Sequence, residues 1–108
     1  MFNLFSLSET KAYKSLGGNE FKEEYAKAKN PALIDVRTAG EFASGTISSA
    51  KNIDLLNNFT KQISKLDKSK EYFLFCRSGS RSAQACSIMA EQGFKVYNLK
   101  GGIGAWPR

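Results

Sequence analysis

The most constraining feature of this sequence is a run of five apolar residues at 72–76 (YFLFC) with polar residues on both sides. A strand without polar positions is typical of the centre of a sheet that is covered on both faces. Further strands are predicted at residues 32–36, which are apolar apart from Asp35, and at residues 95–99, and these strands alternate with segments of helical character. This alternation predicts an α/β fold with a central, mostly parallel five-stranded sheet and helices on both faces.

Turn and capping signals place the individual elements. Strands are predicted at residues 12–16, 32–36, 52–53, 72–76 and 95–99. Asn19 is predicted to cap a first helix that stops before Pro31, and Thr38 with Glu41 forms a capping box for a short helix that ends at residue 43. Two further helices are predicted over residues 55–66 and 81–92, and the second of them begins directly after the apolar strand and a turn of small residues.

The composition excludes several kinds of site. The 108 residues are enough for one domain with its own core, and we expect residues 1–11 to be a loosely attached N-terminal segment. The chain has no histidine, which excludes Ser-His and Cys-His catalytic pairs and histidine metal sites. The two cysteines, Cys76 and Cys86, are too few for a four-cysteine zinc site. We therefore expect neither a metal nor a cofactor.

Hydropathy and charge limit the partners. No apolar run approaches the ~18 residues of a membrane span, and residues 1–5 lack the basic start of a secretory signal, so we expect a cytoplasmic protein without a membrane partner.

Residues 1–54 hold seven basic and seven acidic side chains, and residues 55–108 hold nine basic and three acidic ones, so the second half carries the whole net charge of +6. A basic balance indicates anionic partners. Without a Lys/Arg block interleaved with aromatics, small anions are favoured over nucleic acid. A solvated lysine-rich surface is the alternative interpretation.

Cys76 ends the most apolar strand, just before a helix begins, and in open α/β sheets ligands bind at that edge. Ser78, Gly79 and Ser80 are small enough for the backbone to curl into a nest of amide groups, and the following helix adds its positive end. Arg77 and Arg81 would add two full charges. A drop of about two units from the ordinary thiol pKa needs roughly 2.7 kcal/mol and makes the thiolate the main species at pH 7. The loop thus predicts a nucleophilic cysteine that needs no histidine.

Cys86 is interpreted as a core residue. It lies on the following helix in register with Ser82 and Met89, which places it toward the sheet. With a helix start near Ser80, Cys86 lies about 9 Å along the helix axis, whereas a disulfide needs Cα atoms within about 7 Å.

Three stretches of the chain resemble the motifs of single-domain rhodaneses, which are sulfurtransferases. Residues 33–42 (LIDVRTAGEF) are similar to the family's Asp-Val-Arg segment with a Glu-Phe/Tyr pair after it. Residues 76–82 (CRSGSRS) look like the active-site loop, and residues 99–106 (LKGGIGAW) are similar to the closing Gly-Gly-x-x-x-Trp motif. The resemblance covers residues 20–106 and implies a rhodanese-like three-layer sandwich.

The resemblance also implies a reaction. The Cys76 thiolate would take the outer sulfur of a donor such as thiosulfate and become a persulfide cradled by the amides of residues 77–81. A thiophilic acceptor, cyanide or a thiol, would then remove that sulfur, and the two steps predict ping-pong kinetics. Arg77 and Arg81 would bind and steer the anionic donor. A protein that accepts sulfur is a further partner consistent with this chemistry.

Three other functions stay open. Related phosphatases have five residues between cysteine and arginine and a histidine before the cysteine; here four residues separate Cys76 from Arg81, and Phe75 takes the histidine position. The shorter loop favours sulfur transfer over a phosphatase or an arsenate-reducing enzyme. The cysteine and both arginines argue against a non-catalytic binding module. A persulfide relay with low turnover on free thiosulfate uses the same intermediate and is not separated from the enzyme by the sequence.

One segment departs from the family pattern. The family often has Gly-His-Ile-x-Gly-Ala-x-Asn-Ile after the first motif, and residues 45–53 here are GTISSAKNI. Thr46 stands in place of the histidine and Ser49 in place of a glycine, which leaves the local turn and any substrate contact there open. Asp35 and Arg37 are interpreted as a structural pair that ties loops together, with Glu41 as a further candidate partner, and not as catalytic groups.

Overall fold

The computed structural model describes residues 12–108; the predicted loose segment at residues 1–11 lies outside the described residues. In chain order the elements are β1 (Lys14–Leu16), α1 (Gly18–Lys27), β2 (Pro31–Asp35), α2 (Ala39–Ala43), β3 (Lys51–Asn52), α3 (Phe59–Ile63), β4 (Glu71–Phe75), α4 (Ser80–Glu91), β5 (Lys95–Leu99) and a 3-10 turn (Ile103–Ala105). The strands form one sheet in the order β1-β5-β4-β2-β3, and each neighbouring pair is parallel. The predicted α/β fold with a parallel five-stranded sheet is confirmed.

The sheet has a separate apolar core on each face. Along β4, Tyr72 and Leu74 pack into one core and Phe73 and Phe75 into the other, because successive side chains of a strand point to opposite faces. Helices α3 and α4 cover the first face, and α1 covers the second through the fully buried Phe21. The run at residues 72–76 is apolar throughout because β4 is central and covered on both sides.

Helix α1 begins differently from the prediction. Its N-cap is Gly17, and no side chain caps the helix, so the assignment of Asn19 as the cap is wrong. The first hydrogen bond of the helix runs from the amide of Phe21 to the carbonyl oxygen of Gly17 at 2.8 Å, so Asn19 already lies inside the helix. Gly18 packs so closely on the carbonyl group of Ala105 that a Cβ atom at position 18 would overlap it. The first turn of α1 therefore packs directly on the 3-10 turn, a contact that the local sequence does not reveal.

The helix predicted over residues 55–66 is also wrong in its length, since α3 spans only Phe59–Ile63. Asn58 precedes it in the left-handed region, with φ 51°, and the carboxylate of Asp54 accepts a hydrogen bond from the amide of Leu56. Both features form turns that compete with a helix. The periodic apolar residues nevertheless face one core, as Phe59 and Ile63 are buried there and Leu55 and Leu66 pack against it.

Among residues 12–108 the helices are short, the longest being α4 with 12 residues. No helix in this part of the chain combines the length and the apolar character needed to cross a membrane.

Candidate active site

Cys76 follows β4 directly and lies at the carboxyl edge near the middle of the sheet, with none of its surface exposed. Its carbonyl oxygen accepts a hydrogen bond from the amide of Ile103 at 2.8 Å, which joins the loop after β4 to the loop after β5. On the other side, the amide of Val36 donates to the carbonyl of Phe75 at 3.0 Å. Cys76 thus lies where the sequence predicts it, at the carboxyl edge of the sheet.

Three hydrogen-bond donors converge on the sulfur of Cys76. The amide of Gly79 lies 3.1 Å from Sγ, the amide of Ser82 3.3 Å and the hydroxyl oxygen of Ser82 3.4 Å. Gly79 is the N-cap of α4 and has φ 100°, a conformation that favours glycine. The sulfur therefore sits at the amino-terminal end of α4, where amide groups and the helix dipole favour a negative charge.

This environment changes the acidity of Cys76 in two opposing ways. Burial by itself raises the pKa of the thiol, because the charged form loses its hydration. Hydrogen bonds from the hydroxyl and the amide of Ser82, and from the amides of Gly79 and Ser78, stabilise the thiolate and outweigh burial, so the pKa is lowered. Amides and one hydroxyl group thus raise the fraction of Cys76 that is present as thiolate.

The guanidinium group of Arg81 forms an ion pair with a carboxylate instead of a hydrogen bond with the sulfur of Cys76. Its Nη1 and Nη2 atoms lie 2.7 and 3.0 Å from the two oxygens of Glu41, a bidentate pair that links α4 to α2. The charge of Arg81 interacts with Cys76, yet it is largely balanced by Glu41. The sequence leaves Glu41 as a candidate partner of Asp35 and Arg37. In the structure its carboxylate pairs with Arg81 and completes the predicted capping box with Thr38.

The pair of Glu41 and Arg81 predicts a pH dependence of stability. The hydrogen bond from Arg81 and the amide of Thr38 lower the pKa of Glu41 to about 2, from an ordinary 4.5. The folded pKa is below the unfolded one, so the contribution is complete above pH 4.5 and is lost as the pH falls toward 2. We expect wild type to exceed Glu41→Gln in urea midpoint at pH 6, with a difference that shrinks steadily below pH 4.5. Glutamine keeps the capping box.

A matched control uses a carboxylate whose ion-pair partner is exposed. Glu24→Gln removes the ion pair with Lys27, whose side chain is 71% exposed, and should show no such pH-dependent difference. A constant gap between wild type and Glu41→Gln from pH 6 to pH 3 would contradict the assignment.

The other residues predicted for the site lie on its outer side. Arg77, Ser78 and Ser80 are exposed, and the hydroxyl oxygens of the two serines are 3.3 Å apart. Within residues 12–108 the side chain of Arg77 makes no hydrogen bond or ion pair, so its charge is available to solvent. The structure therefore brings Gly79 to the sulfur and leaves Arg77 at the protein surface.

Two residues near the sulfur were missed as site residues. Ser82 is fully buried, and Asn98 on β5 is 3% exposed; the Ser82 hydroxyl oxygen lies 2.5 Å from Oδ1 of Asn98. Both residues carry a signal in the sequence, which is a polar side chain at a position of a helix or strand that is expected to be buried. Buried polar groups need hydrogen-bond partners, so such a position indicates a polar contact inside the protein.

Cys86 is buried in the core between α4 and the sheet, as predicted, and both cysteines are free thiols. Burial raises the pKa of its thiol, and so does the nearby Cys76. Cys86 is therefore a neutral, inert core side chain.

Within the described residues, no three side chains of the Cys, Asp and Glu types lie close enough together to hold a metal ion.

Asp35 and Arg37 form a buried pair at the end of β2. Asp35 is fully buried and accepts from the Arg37 guanidinium at 2.8–3.1 Å, from the Arg37 amide at 3.0 Å and from the Thr46 hydroxyl at 2.9 Å. Arg37 also donates to the carbonyl of Gly45 at 2.7 Å. The pair ties the loop after α2 to the end of β2, in line with the structural interpretation.

The structure also describes residues 45–53, the segment that departs from the family pattern. The Thr46 hydroxyl binds the Asp35 carboxylate, so this side chain supports the buried pair. Ser49 has φ 76°, in the left-handed region that a glycine adopts without cost. The turn is thus kept, with serine in a strained conformation.

Comparison with known proteins places the chain in a family. Residues 18–108 match the model of the rhodanese-like domain. The chain is 40% identical over 93 residues to a protein of Bacillus subtilis (strain 168) named putative sulfurtransferase YtwF, covering 86% of this chain and 89% of that protein. It is 31% identical to thiosulfate sulfurtransferase GlpE of Shewanella oneidensis, over 88% of this chain and 93% of that one.

A solved structure agrees with these matches. A rhodanese-like domain protein from Staphylococcus aureus superposes with a TM-score of 0.75 at 31% identity, covering 87% of this chain and 91% of that one. Sequence, fold and the position of the cysteine loop point in the same direction, and this chain belongs to the rhodanese-like family.

Proposed function

We propose that the protein is a sulfurtransferase in which Cys76 takes a sulfane sulfur from an anionic donor such as thiosulfate and passes it to a thiophilic acceptor. The observation that carries this proposal is the convergence of two amides and one hydroxyl group on Sγ, all within 3.4 Å. Such an array stabilises an anionic sulfur without a general base. The family membership and the names of the relatives support the same reaction class.

The first step is a displacement at sulfur. The thiol has lost its proton to solvent, and the Cys76 thiolate attacks the outer sulfur of thiosulfate. A new S–S bond forms to Sγ while the S–S bond of thiosulfate breaks, and its electron pair leaves with sulfite. The negative charge of the resulting persulfide resides on its outer sulfur. This step needs no proton transfer in the transition state, which fits a chain without histidine.

The second step regenerates the enzyme. Cyanide or a thiolate attacks the outer sulfur of the persulfide, the bond to Sγ breaks, and Cys76 leaves as a thiolate. The same donors from Gly79 and Ser82 stabilise the thiolate as nucleophile in the first step and as leaving group in the second. Their preorganised positions avoid the reorganisation that water would need.

Charge and burial favour a small anionic donor. The sulfur of Cys76 is buried, so a compact donor reaches it more readily than a bulky one. Arg77 is exposed and unpaired within the described residues, and the whole chain carries a net charge of +6. Long-range attraction of this kind raises the rate at which anions arrive.

The acceptor has a candidate site beside the loop. A groove of about 310 Å³ is lined by Thr46, Ile47, Ser48, Ile103, Trp106, Pro107 and Arg108. Ile103 donates its amide hydrogen bond to the carbonyl of Cys76, so the groove and the loop share this backbone contact. A thiol carrier with an apolar part would fit the isoleucines and the tryptophan, with Arg108 available for an acidic group.

The proposal predicts a sulfur adduct on one cysteine. Incubation with thiosulfate should increase the intact mass by one sulfur atom, and cyanide should remove it with release of thiocyanate. Cys76→Ser should lose both results, whereas Cys86→Ala should keep them because that thiol is buried and protonated. The absence of an adduct on wild-type protein with any sulfane donor, or an adduct that persists in Cys76→Ser, would refute the proposal.

The same experiment separates an enzyme from a relay. Turnover to thiocyanate at the rate of sulfur loading indicates an enzyme that uses free thiosulfate. Rapid loading with slow turnover, and fast transfer to a protein thiol, indicates a persulfide relay. Both outcomes use the same Cys76 chemistry.

A further inference from the structure

The Ser82 hydroxyl group has more acceptors than protons. Its oxygen lies 3.4 Å from Sγ of Cys76 and 2.5 Å from Oδ1 of Asn98, and both Ser82 and Asn98 are buried. A hydroxyl group has one hydrogen, so it can donate to only one of the two at a time. In a buried site, water does not replace the missing hydrogen bond of the acceptor that does not receive the proton. The position of this one proton therefore affects the stability of both acceptors.

The orientation of the Asn98 amide follows from its neighbours. Its Nδ2 lies 3.4 Å from the carbonyl oxygen of Gly79 and 3.0 Å from the hydroxyl oxygen of Ser15. A carbonyl oxygen can only accept, so the group that faces Gly79 must be the NH₂ group. Oδ1 then faces Ser82 and can only accept from it. Asn98 consequently competes with the Cys76 sulfur for the Ser82 proton.

Asn98 also contacts the residue that supplies a second donor. The amide of Gly79 donates to Sγ, and the carbonyl of the same residue accepts from Asn98. Strand pairing aligns Ser15 of the edge strand β1 with Asn98 of β5, so the Ser15 hydroxyl group can accept a hydrogen bond from the side-chain amide of Asn98. The side chain of Asn98 is thus fixed on three sides by hydrogen bonds.

The competition has different outcomes in the two charge states of the sulfur. An anionic sulfur is a strong acceptor and attracts the hydroxyl proton of Ser82. A neutral sulfur, in a thiol or as the inner atom of a persulfide, is a weak acceptor and leaves the proton with Asn98. In the thiol, S–H can donate to the free lone pair of the Ser82 oxygen, which completes a chain from Cys76 through Ser82 to Asn98.

We propose that Asn98 is a positioning residue that holds the Ser82 hydroxyl proton while the Cys76 sulfur is neutral and yields it when the sulfur is anionic. The proton stays bound to the Ser82 oxygen throughout, and only the hydroxyl group rotates. The inference deepens the proposed function, because it describes how one site accommodates both the thiolate and the persulfide. Asn98 offsets the stabilisation of the thiolate and keeps it reactive.

The other titratable groups around Cys76 are either paired with an opposite charge or neutral. Arg81 and Cys86 interact electrostatically with Cys76. Arg81 is paired with Glu41, and Cys86 is a neutral thiol. Asp35 on the neighbouring strand is neutralised by Arg37. None of these pairs involves Asn98, so they are unchanged by its replacement.

The test is a double-mutant cycle read from the pH profile of Cys76 alkylation, with the modified residue located by mass spectrometry. In Asn98→Leu the Ser82 proton has only the sulfur as acceptor, so we expect the midpoint to fall by about one pH unit, a roughly tenfold higher ratio of thiolate to thiol. Ser82→Ala should raise the midpoint. In the double variant Ser82→Ala/Asn98→Leu, the midpoint should equal that of Ser82→Ala.

Two further variants keep the test decisive. Asn98→Ala replaces Asn98→Leu if leucine does not fit, and Ser15→Ala removes a bond of the amide nitrogen without touching its oxygen and should leave the midpoint unchanged. An Asn98 variant with an unchanged or raised midpoint would overturn the proposal. So would an equal shift in the presence and absence of Ser82, because Asn98 would then act by packing. The alkylation profile does not require sulfur transfer, so failure here is distinguishable from failure of the proposed function.

Discussion

Replacing Gly102 with alanine should reduce sulfur loading of Cys76 on the order of 100-fold, the scale at which small displacements of reacting groups act. Gly102 is buried with φ 81° and ψ −168°, a conformation available almost only to glycine. A Cβ atom there would overlap the carbonyl group of Arg77 and lie 2.7 Å from the amide nitrogen of Ser78. The backbone that opens the cysteine loop would have to move.

The displaced loop affects more than one observable. With residues 77 and 78 shifted, the amide of Gly79 moves from Sγ, and the pKa of Cys76 should return toward its ordinary value. Strain of about 1–3 kcal/mol should also lower the unfolding midpoint. Sulfur loading by mass, the alkylation pH profile and thermal unfolding measure these three effects.

Gly104 supplies a matched control for Gly102. It lies two residues away on the 3-10 turn, and a Cβ atom there would meet nothing within 4 Å. Gly104→Ala should therefore behave like wild type in all three measurements. If Gly102→Ala loads sulfur at the wild-type rate, the close approach of the two loops is not what holds the site in place.

Replacing Arg37 with alanine should destabilise the fold by about 3–5 kcal/mol, because it leaves a buried carboxylate without its counter-charge. Asp35 has no exposed surface and Arg37 has 7%. Without the guanidinium, the carboxylate keeps only the Arg37 amide and the Thr46 hydroxyl as donors. Urea unfolding at pH 7 measures the loss.

Two variants bracket this result. Arg37→Lys keeps the charge but cannot make the fork of Nε and Nη2 with Asp35, so an intermediate stability is expected. Lys27→Ala breaks an ion pair whose lysine side chain is 71% exposed and should have little effect. A loss for Arg37→Ala as small as that for Lys27→Ala would mean that water reaches Asp35.

The fold was predictable where local pattern and global architecture agree. The apolar run at residues 72–76 includes most of the central strand β4, so burial on both faces left no polar alternation there and gave a clear signal. The predicted first helix begins before Asn19, with Gly17 as its cap, and Gly18 packs on Ala105, a contact between residues far apart in sequence. The predicted helix at residues 55–66 shrank because Asp54 and Asn58 form turns that apolar spacing does not reveal.

The candidate site was predictable in its local part only. The cysteine, the glycine and the start of the helix follow one another in the sequence, so their amide nest could be foreseen. The partner of Arg81 could not be, since Glu41 lies on another helix 40 residues earlier. Asn98 was hidden for the same reason, as β5 meets the first turn of α4 only in the folded protein.

The order of strands in the sheet has a consequence for the newborn chain. β5 lies between β1 and β4, and it carries Asn98 and leads to Gly102, yet it follows Cys76 by about twenty residues. During vectorial synthesis on the ribosome, Cys76 therefore emerges before the residues that complete its surroundings. Until β5 inserts between its neighbours, the cysteine is an ordinary thiol in an unfinished chain. The lowered pKa of its thiol therefore arises only together with the finished fold.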